Sequence, residues 1–248
     1  IYTLSLHDAL PISSWDPAVF DRERDRFLAA LADLDPAAPA PAPNRSQDRL
    51  AEREAGVPTA TASAERIRRP FVSTPDSDPS LAANRRWARD IAAAVPASER
   101  GAAQVEAGAA RMGTVARCDA VVRATAAAAA AWQGRDPDER AVVLNRVGDV
   151  LEARRHELIE VAASEAGKTI DQSDPEVSEA IDFCRHYAEA SLLLHDPEHM
   201  AGARFAPVDL TVVASPWNFP LAIPTGGVAA ALAAGSAVIL KQIGRAHV

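Results

Sequence analysis

The segment from Ser215 to Pro220 (Ser-Pro-Trp-Asn-Phe-Pro) is the part of the sequence best suited to chemistry. Two prolines restrict the backbone on either side of Asn218, so this asparagine is predicted to be held in place. A fixed Asn side chain offers a neutral N–H donor, which can stabilise negative charge that develops on an oxygen atom. The same side chain can instead bond to the loop's own backbone and only shape the turn. The residues alone leave both roles open.

Other reactive side chains are more easily explained as structural. Cys184 falls on the apolar stripe of a predicted helix and Cys118 precedes an alanine-rich one, so we expect two buried structural thiols and no nucleophile. His195 and His199 are four residues apart, but Pro197 interrupts the helix that would bring both to one metal ion. We therefore expect a solvated loop there and no metal site. Neither the G-x-G-x-x-G fingerprint nor a Walker A loop occurs in the sequence.

The elements around the loop predict an α/β fold with a parallel sheet. Thr211–Ala214 is apolar and β-branched, which indicates a buried strand. Leu221–Ala234 is predicted to be a small-residue helix capped by Gly235, and Ala237–Leu240 a second strand. This order forms a right-handed βαβ unit. The loop then lies at the carboxyl end of its strand, where open α/β sheets bind ligands.

The sequence before this unit is predicted to be helical. Asp136 and Pro137 are typical of a helix start, and Gly167 of a left-handed helix end. The predicted helices are Asn84–Val95, Cys118–Gln133, Asp136 to about Ala166, and one that begins at Ser173–Glu176 with Pro175 in its first turn.

The amino-terminal third has a different composition. Trp15–Leu34 carries a helical pattern, and the Pro-Ala run from Pro36 to Pro43 favours an extended linker. Polar sequence continues to about Pro79, with only Ile67, Phe71 and Val72 as apolar anchors. We therefore interpret Asp35–Pro79 as mostly an interdomain segment.

Composition excludes several classes of protein. The 248 residues carry 26 Lys and Arg against 34 Asp and Glu, a net charge of −8, so no basic surface for nucleic acid is expected. Leu210–Leu240 contains no charged residue, but prolines and glycines interrupt it, which argues against a membrane span. The 2 separated cysteines fit a reducing cytoplasm.

Several motifs in order resemble one known family. Ser215–Leu221, Gly226-Gly227, Ala233-Ala234-Gly235 and Val238-Ile239-Leu240-Lys241 are similar to the first βαβ unit of the aldehyde dehydrogenase superfamily. Upstream, Glu165-Ala166-Gly167-Lys168 and the helix Glu176–Tyr187 resemble its amino-terminal helices. The resemblance extends from about Ala120 to Lys241, and it implies a Rossmann-like parallel sheet and an NAD-dependent oxidoreductase.

A narrower resemblance concerns one branch. Thr74–Trp87 and Asp174–Phe183 are similar to the glutamate-semialdehyde (1-pyrroline-5-carboxylate) dehydrogenase module of bifunctional proline utilization A proteins. Trp15–Leu34 resembles the stretch that follows the proline dehydrogenase barrel, which is absent from this chain. The branch implies oxidation of L-glutamate γ-semialdehyde to L-glutamate with NAD. FAD is expected only in the proline dehydrogenase module, and the complete cytoplasmic enzyme is expected to be a homo-oligomer.

The resemblance also implies roles for individual residues. Asn218 matches the side chain that stabilises the oxyanion. Ser215, Pro216 and Trp217 match the loop that lines the cofactor site, and Lys241 matches a lysine that contacts the adenosine ribose. Glu179 and Phe183 resemble positions in the aldehyde channel, although a surface acid beside a packed aromatic residue explains them equally well.

The remaining expectations concern the boundaries of the chain. In the family, the catalytic Cys and Glu follow the position of Lys241, so this chain is expected to be an inactive fragment. Residues 1–13 and 242–248 resemble adapter sequence; 14–34 would be the tail of the first module, 35–79 a linker and 80–241 the front of the dehydrogenase domain. Two alternatives stay open: a stand-alone helical binding or oligomerisation module, and an enzyme for another aldehyde, against which Thr74–Trp87 argues.

Overall fold

The computed structural model describes residues 47–67, 69–101 and 114–242, together with positions 21, 24, 25, 28, 29 and 32. The chain divides into two compact units, Ile1–Arg45 and Ser46–Val248. The adapter-like segment 1–13, the Pro-Ala run 36–43 and residues 243–248 of the adapter-like segment 242–248 lie outside the described residues, whereas Gln242 ends a β-strand. In the first unit the six described positions are helical, as predicted for this region. Arg24 there forms ion pairs with Asp21 and Asp25, both at 2.8 Å.

The second unit is mainly helical. Its described helices are α1 (Arg49–Ala55), α2 (Ala60–Arg66), α3 (Ala82–Ala94), α4 (Val115–Gln133), α5 (Pro137–Ala153), α6 (Arg155–Ala166), α7 (Ile170–Leu193), α8 (Pro197–Met200) and α9 (Ala222–Ala233). A 3₁₀ turn over Val95–Ala97 follows α3. Pro96 lies in this turn, which confirms that it stops the helix.

Two strands form a parallel pair, as predicted. Strand β1 (Leu210–Ser215) lies beside β2 (Ala237–Gln242), with Leu210 opposite Ala237 and Ser215 opposite Gln242. Helix α9 connects them, and Gly235 turns the chain after it with a φ of 87°. This positive φ explains why a glycine follows the helix. The order of strand, helix and strand is that of the α/β fold predicted from the sequence.

Helix α7 contributes one stripe of side chains to two apolar clusters among the described residues. Val177 and Ile181 pack in a cluster with Trp87, Ile91 and Ile159 from α3 and α6. One turn further on, Cys184 and Ala188 pack in another with Ala141, Leu144, Ala229 and Ala233 from α5 and α9. The spacing of four, three and four residues is that of one helix face. Helix α7 therefore links the helical layer to α9, the helix that follows the Ser215–Pro220 loop.

Several predicted helix boundaries were wrong, among them the start of α4, which is Val115 and not Cys118. The helix predicted from Asp136 to Ala166 breaks at Arg154, which has φ −98° and ψ 14°. No Gly or Pro marks this break, so periodicity could not reveal it. The next helix begins at Ile170 and not at Ser173, because Thr169 and Gln172 form a capping box. Pro175 is tolerated near the start of α7 because the carbonyl that loses its partner there belongs to Asp171, which is exposed.

The structure also differs from the predicted interdomain segment over residues 47–67 and 69–79. These residues include α1 and α2, and polar contacts attach them to the helical core. Arg49 is only 3% exposed and donates to Ser77 Oγ at 2.8 Å. The backbone N–H of Ser77 donates to Asp174 of α7 at 2.6 Å. The prediction counted only apolar anchors, whereas these anchors are polar.

None of the helices in the described residues is long and apolar enough to cross a membrane. The uncharged stretch Leu210–Leu240 instead forms β1, the loop, the 12-residue α9 and most of β2.

Candidate active site

A narrow cleft lies at the carboxyl ends of the two strands. It is lined by Ser215, Pro216, Trp217 and Lys241, together with Pro220, Pro224 and Leu240, and has a volume of about 40 Å³. Ser215 ends β1 and is buried, whereas Trp217 is 48% exposed. Lys241 is paired in register with Ala214, one residue before Ser215. The structure thus brings together the four residues predicted to bind the cofactor.

Asn218 lies at the exposed tip of the same loop, outside the lining of the cleft. Its backbone carbonyl accepts a hydrogen bond from Lys168 Nζ at 3.3 Å. Within the described part of the chain no residue accepts a hydrogen bond from its side-chain amide. The amide is therefore not used to hold the loop to its own backbone, and its N–H donors remain available to a ligand.

A buried carboxylate holds the end of this loop. Glu176 of α7 accepts hydrogen bonds from the backbone N–H of Leu221 at 2.7 Å and of Ala222 at 3.2 Å. These two amides begin α9, where helical N–H groups have no partner within the helix. Glu176 also forms an ion pair with Lys168. The side chains of Glu176 and Lys168 are only 2% and 12% exposed.

Two glycines allow α9 to approach its neighbours. A Cβ atom on Gly226 would lie 2.9 Å from Phe183 Cδ2 on α7. A Cβ atom on Gly227 would lie 2.7 Å from Val213 Cγ1 on β1. Both distances are shorter than a normal carbon contact, so only glycine fits here without a shift. The Gly226-Gly227 pair packs the helix between α7 and the sheet, and this close packing fixes where the loop begins and ends.

The two residues predicted for an aldehyde channel lie one turn apart on α7. Phe183 is half-buried, contacts Gly226, and stacks on Tyr187 with ring centroids 5.9 Å apart. Glu179 is exposed. Phe183 thus packs against α9 and Tyr187, and Glu179 is accessible to a ligand.

The two cysteines differ from each other. Cys184 is buried in the core, as predicted, and burial raises the pKa of its thiol to about 12, which suppresses the reactive thiolate. Cys118 is exposed on α4, so the prediction that it is buried was wrong. The reason is that α4 buries only Ala129 among its residues. An alanine-rich pattern indicated the helix but not which face is covered.

The segment with His195 and His199, predicted to be a solvated loop, includes the short helix α8, which begins at Pro197. The guanidinium of Arg140 lies 3.2 Å from His195 Nε2, while His199 is exposed on the short helix α8. In the described residues there is no group of three or more His, Cys, Asp or Glu side chains that could hold a metal ion.

A larger cavity of about 470 Å³ lies elsewhere in the second unit. It is lined by residues 66, 67 and 69–72 and by Asn145, Arg185 and Glu189 of α5 and α7. None of the residues predicted to carry function lines it. Two of its arginines pair with acids: Arg185 with Asp149 and Glu152, and Arg66 with Asp149.

Lys168 and Glu176 contact the loop and the start of α9, although no function was predicted for either from the sequence. Lys168 follows Gly167, whose left-handed φ of 67° ends α6 as predicted. The glycine predicts a turn of the chain at this point. The contact of Glu176 with Leu221 could not be predicted from local sequence, because the two residues are 45 positions apart in the chain.

The part of the chain that contains these motifs is similar to known proteins. The model of the aldehyde dehydrogenase family matches residues 88–246. The bifunctional protein PutA of Escherichia coli (strain K12) is 42% identical over 110 residues, which cover 44% of this chain and 8% of that protein. The 1-pyrroline-5-carboxylate dehydrogenase of Bacillus mycoides (strain KBAB4) is 36% identical over 117 residues, which cover 44% of this chain and 23% of that protein.

A solved structure of proline utilization A from Corynebacterium freiburgense superimposes with a TM-score of 0.54 and 40% sequence identity. The match covers 71% of this chain and 16% of that one. The chain thus spans less than a quarter of the length of each of these relatives.

Proposed function

This chain belongs to the aldehyde dehydrogenase family, and we propose on that premise that it is part of an NAD-dependent L-glutamate γ-semialdehyde dehydrogenase of proline catabolism. The observation that carries the proposal is the loop Ser215–Pro220 at the carboxyl ends of two parallel strands, where α/β sheets bind ligands. The similarity to PutA and to 1-pyrroline-5-carboxylate dehydrogenase supports this choice of substrate.

Asn218 is assigned the catalytic role in this reaction. When the aldehyde carbon is attacked, negative charge develops on its oxygen atom, and an N–H donor that is already in place stabilises that charge. The exposed amide of Asn218 is such a donor. The reaction oxidises the aldehyde to a carboxylate, with water as the source of the second oxygen atom and NAD as the acceptor of the hydride.

Ser215, Pro216, Trp217 and Lys241 are assigned to the cofactor site. Their cleft combines an aromatic wall with one cation, a combination that suits part of a nucleotide. Its volume of about 40 Å³ holds only a portion of a dinucleotide. These residues therefore supply one edge of the site, at which Lys241 can bond ribose hydroxyls. Glu179 and Phe183 are assigned to the aldehyde channel.

The remaining assignments concern the whole protein. Residues 14–34 would belong to the tail of a proline dehydrogenase module, in which FAD would bind. The complete enzyme would be a cytoplasmic homo-oligomer. The chain by itself would not oxidise aldehydes, because neither cysteine is a suitable nucleophile. Burial deactivates Cys184, and Cys118 lies on helix α4 outside the cleft.

The test is to express the complete reading frame that encodes this chain and to measure NADH formation. We expect turnover with L-glutamate γ-semialdehyde that exceeds turnover with acetaldehyde or benzaldehyde. We expect the 248-residue chain alone to give none. A preference for another aldehyde would reassign the substrate. No turnover with any aldehyde would leave the binding or oligomerisation module as the better function.

A further inference from the structure

We propose that the ion pair of Glu176 and Lys168 positions the loop that carries Asn218, and that Glu176 is thereby a positioning residue for aldehyde oxidation. The effect on aldehyde oxidation rests on the proposed function. The claim that the ion pair holds the loop in place rests only on the contacts within this chain.

The first observation is the number of contacts that the pair makes to the loop and to the start of α9. Glu176 accepts from the N–H groups of Leu221 and Ala222. Lys168 Nζ donates to the carbonyl of Asn218 and lies 4.8 Å from the centroid of the Phe219 ring. A cation over an aromatic face is attracted to it. Four of the five residues from Asn218 to Ala222 thus contact one ion pair.

The second observation is that the described residues provide no other side-chain hydrogen bond to the loop. Packing also does little to fix the loop, because the side chains of Trp217 and Phe219 are 48% and 42% exposed. The position of Asn218 therefore depends on its covalent neighbours and on Lys168 and Glu176. If that pair is removed, the loop keeps its prolines but loses its polar contact with Lys168, and the residues that follow it lose theirs with Glu176.

The third observation is the burial of the charges. A buried ion pair costs desolvation free energy and is a weak source of stability unless its other hydrogen bonds are made. Here the carboxylate accepts from two backbone amides as well as from Lys168. The amides at the start of α9 have no acceptor within the helix, so a neutral apolar residue at position 176 would leave the buried amide of Ala222 and the partly buried amide of Leu221 without an acceptor.

Hydrogen exchange in the 248-residue chain tests the structural part. In Glu176→Ala the amides of Leu221 and Ala222 should exchange roughly tenfold to a hundredfold faster, as expected for the loss of hydrogen bonds to a charged group. Glu176→Gln keeps a neutral acceptor and should retain part of the protection. Unchanged exchange at these two amides in Glu176→Ala would overturn the proposal.

Glu189→Ala is the matched control. Glu189 lies on the same helix, and its carboxylate accepts from the backbone N–H of Phe71 at 2.9 Å. This variant should speed exchange at Phe71 and leave Leu221 and Ala222 unchanged. If Glu176→Ala does not fold, Lys168→Met replaces it. That variant should speed exchange in residues 215–222 while the core of α7 stays protected, and equal exchange in both regions would contradict the proposal.

Kinetics in the longer enzyme test the catalytic part. Glu176→Ala should lower kcat for aldehyde oxidation by a larger factor than it raises KM for NAD. Because Glu176 acts through Asn218, adding Glu176→Ala to Asn218→Ala should lower kcat by no more than about twofold further. Fully multiplicative losses would contradict positioning. If the wild-type longer enzyme oxidises no aldehyde, the proposed function fails, whereas the exchange result still decides whether the pair holds the loop.

Discussion

At the scale of single residues, the amide of Asn218 is the group whose chemistry can be tested most directly. In the longer enzyme Asn218→Ala should lower kcat by about 10² to 10³, the usual cost of one lost oxyanion donor. Asn218→Asp keeps the shape of the side chain but replaces the donor with an acceptor, so it should be no more active. Steady-state kinetics and NAD binding measure both. An Asn218→Ala enzyme with full kcat and a much lower melting temperature would instead assign the residue to stability.

His156 is predicted to make stability depend on pH. Burial is the main cause that lowers its pKa below the ordinary value of 6.5, with Arg53 and Arg100 acting in the same direction and Glu157 and Glu160 opposing them. Its buried Nδ1 has no hydrogen-bond partner in the described part of the chain. The folded state therefore takes up the proton less readily than the unfolded state. Its stabilising effect is complete above about pH 6.5 and declines as the pH falls below it.

Thermal melts between about pH 7.5 and about pH 5.5 measure this effect. The melting temperature should fall on acidification, and His156→Gln should reduce the slope. His199→Gln, which changes an exposed histidine of α8, is the matched control and should keep the wild-type slope. An identical slope in the wild-type chain and in His156→Gln would contradict the prediction.

At the scale of elements, the packing of α9 against α7 predicts opposite effects for two helical glycines. Gly226→Ala places a methyl group 2.9 Å from Phe183 and should lower the free energy of unfolding by about 1 to 3 kcal/mol. Gly148→Ala on α5 places one 3.5 Å from Cys184 and Arg185, a normal contact. Because alanine favours a helix, Gly148→Ala should raise the free energy of unfolding by about 0.5 to 1 kcal/mol. Denaturant titration measures the free energy of unfolding of both variants. Equal changes in the two would contradict the prediction and show that α9 can move away from α7 at little cost.

At the scale of the whole molecule, the two-stranded sheet presents apolar side chains to solvent. Val212 on β1 is 58% exposed and Leu240 on β2 is 45% exposed. Exposed apolar strands pair with other chains. We therefore expect the 248-residue chain to self-associate, and Val212→Lys with Leu240→Lys to reduce the association. Light scattering across a concentration series measures it. Val122→Lys, at a 43% exposed position on α4, is the control. A wild-type monomer at every concentration would contradict the prediction.

Local sequence determined most of the elements in the second unit. The stripe on α7, the turn at Gly167 and the parallel pair of β1 and β2 all depend on residues close together in the chain. Periodicity and backbone preference act over that range, so these features were predictable. The four residues predicted to bind the cofactor are neighbours because a strand end and the next parallel strand meet at one edge of the sheet.

Tertiary packing decided the rest. Whether Cys118 is covered depends on which helices contact α4, and the packing of residues 47–67 and 69–79 depends on buried polar partners such as Asp174. The ion pair of Lys168 and Glu176 reaches residues that are 45 to 50 positions away in the chain. Such contacts exist only after α6, α7 and α9 have packed together, because a carboxylate is stably buried only where folding brings donors to it. Local sequence therefore predicts where the loop lies, whereas the packing of α6, α7 and α9 creates the contacts that hold it.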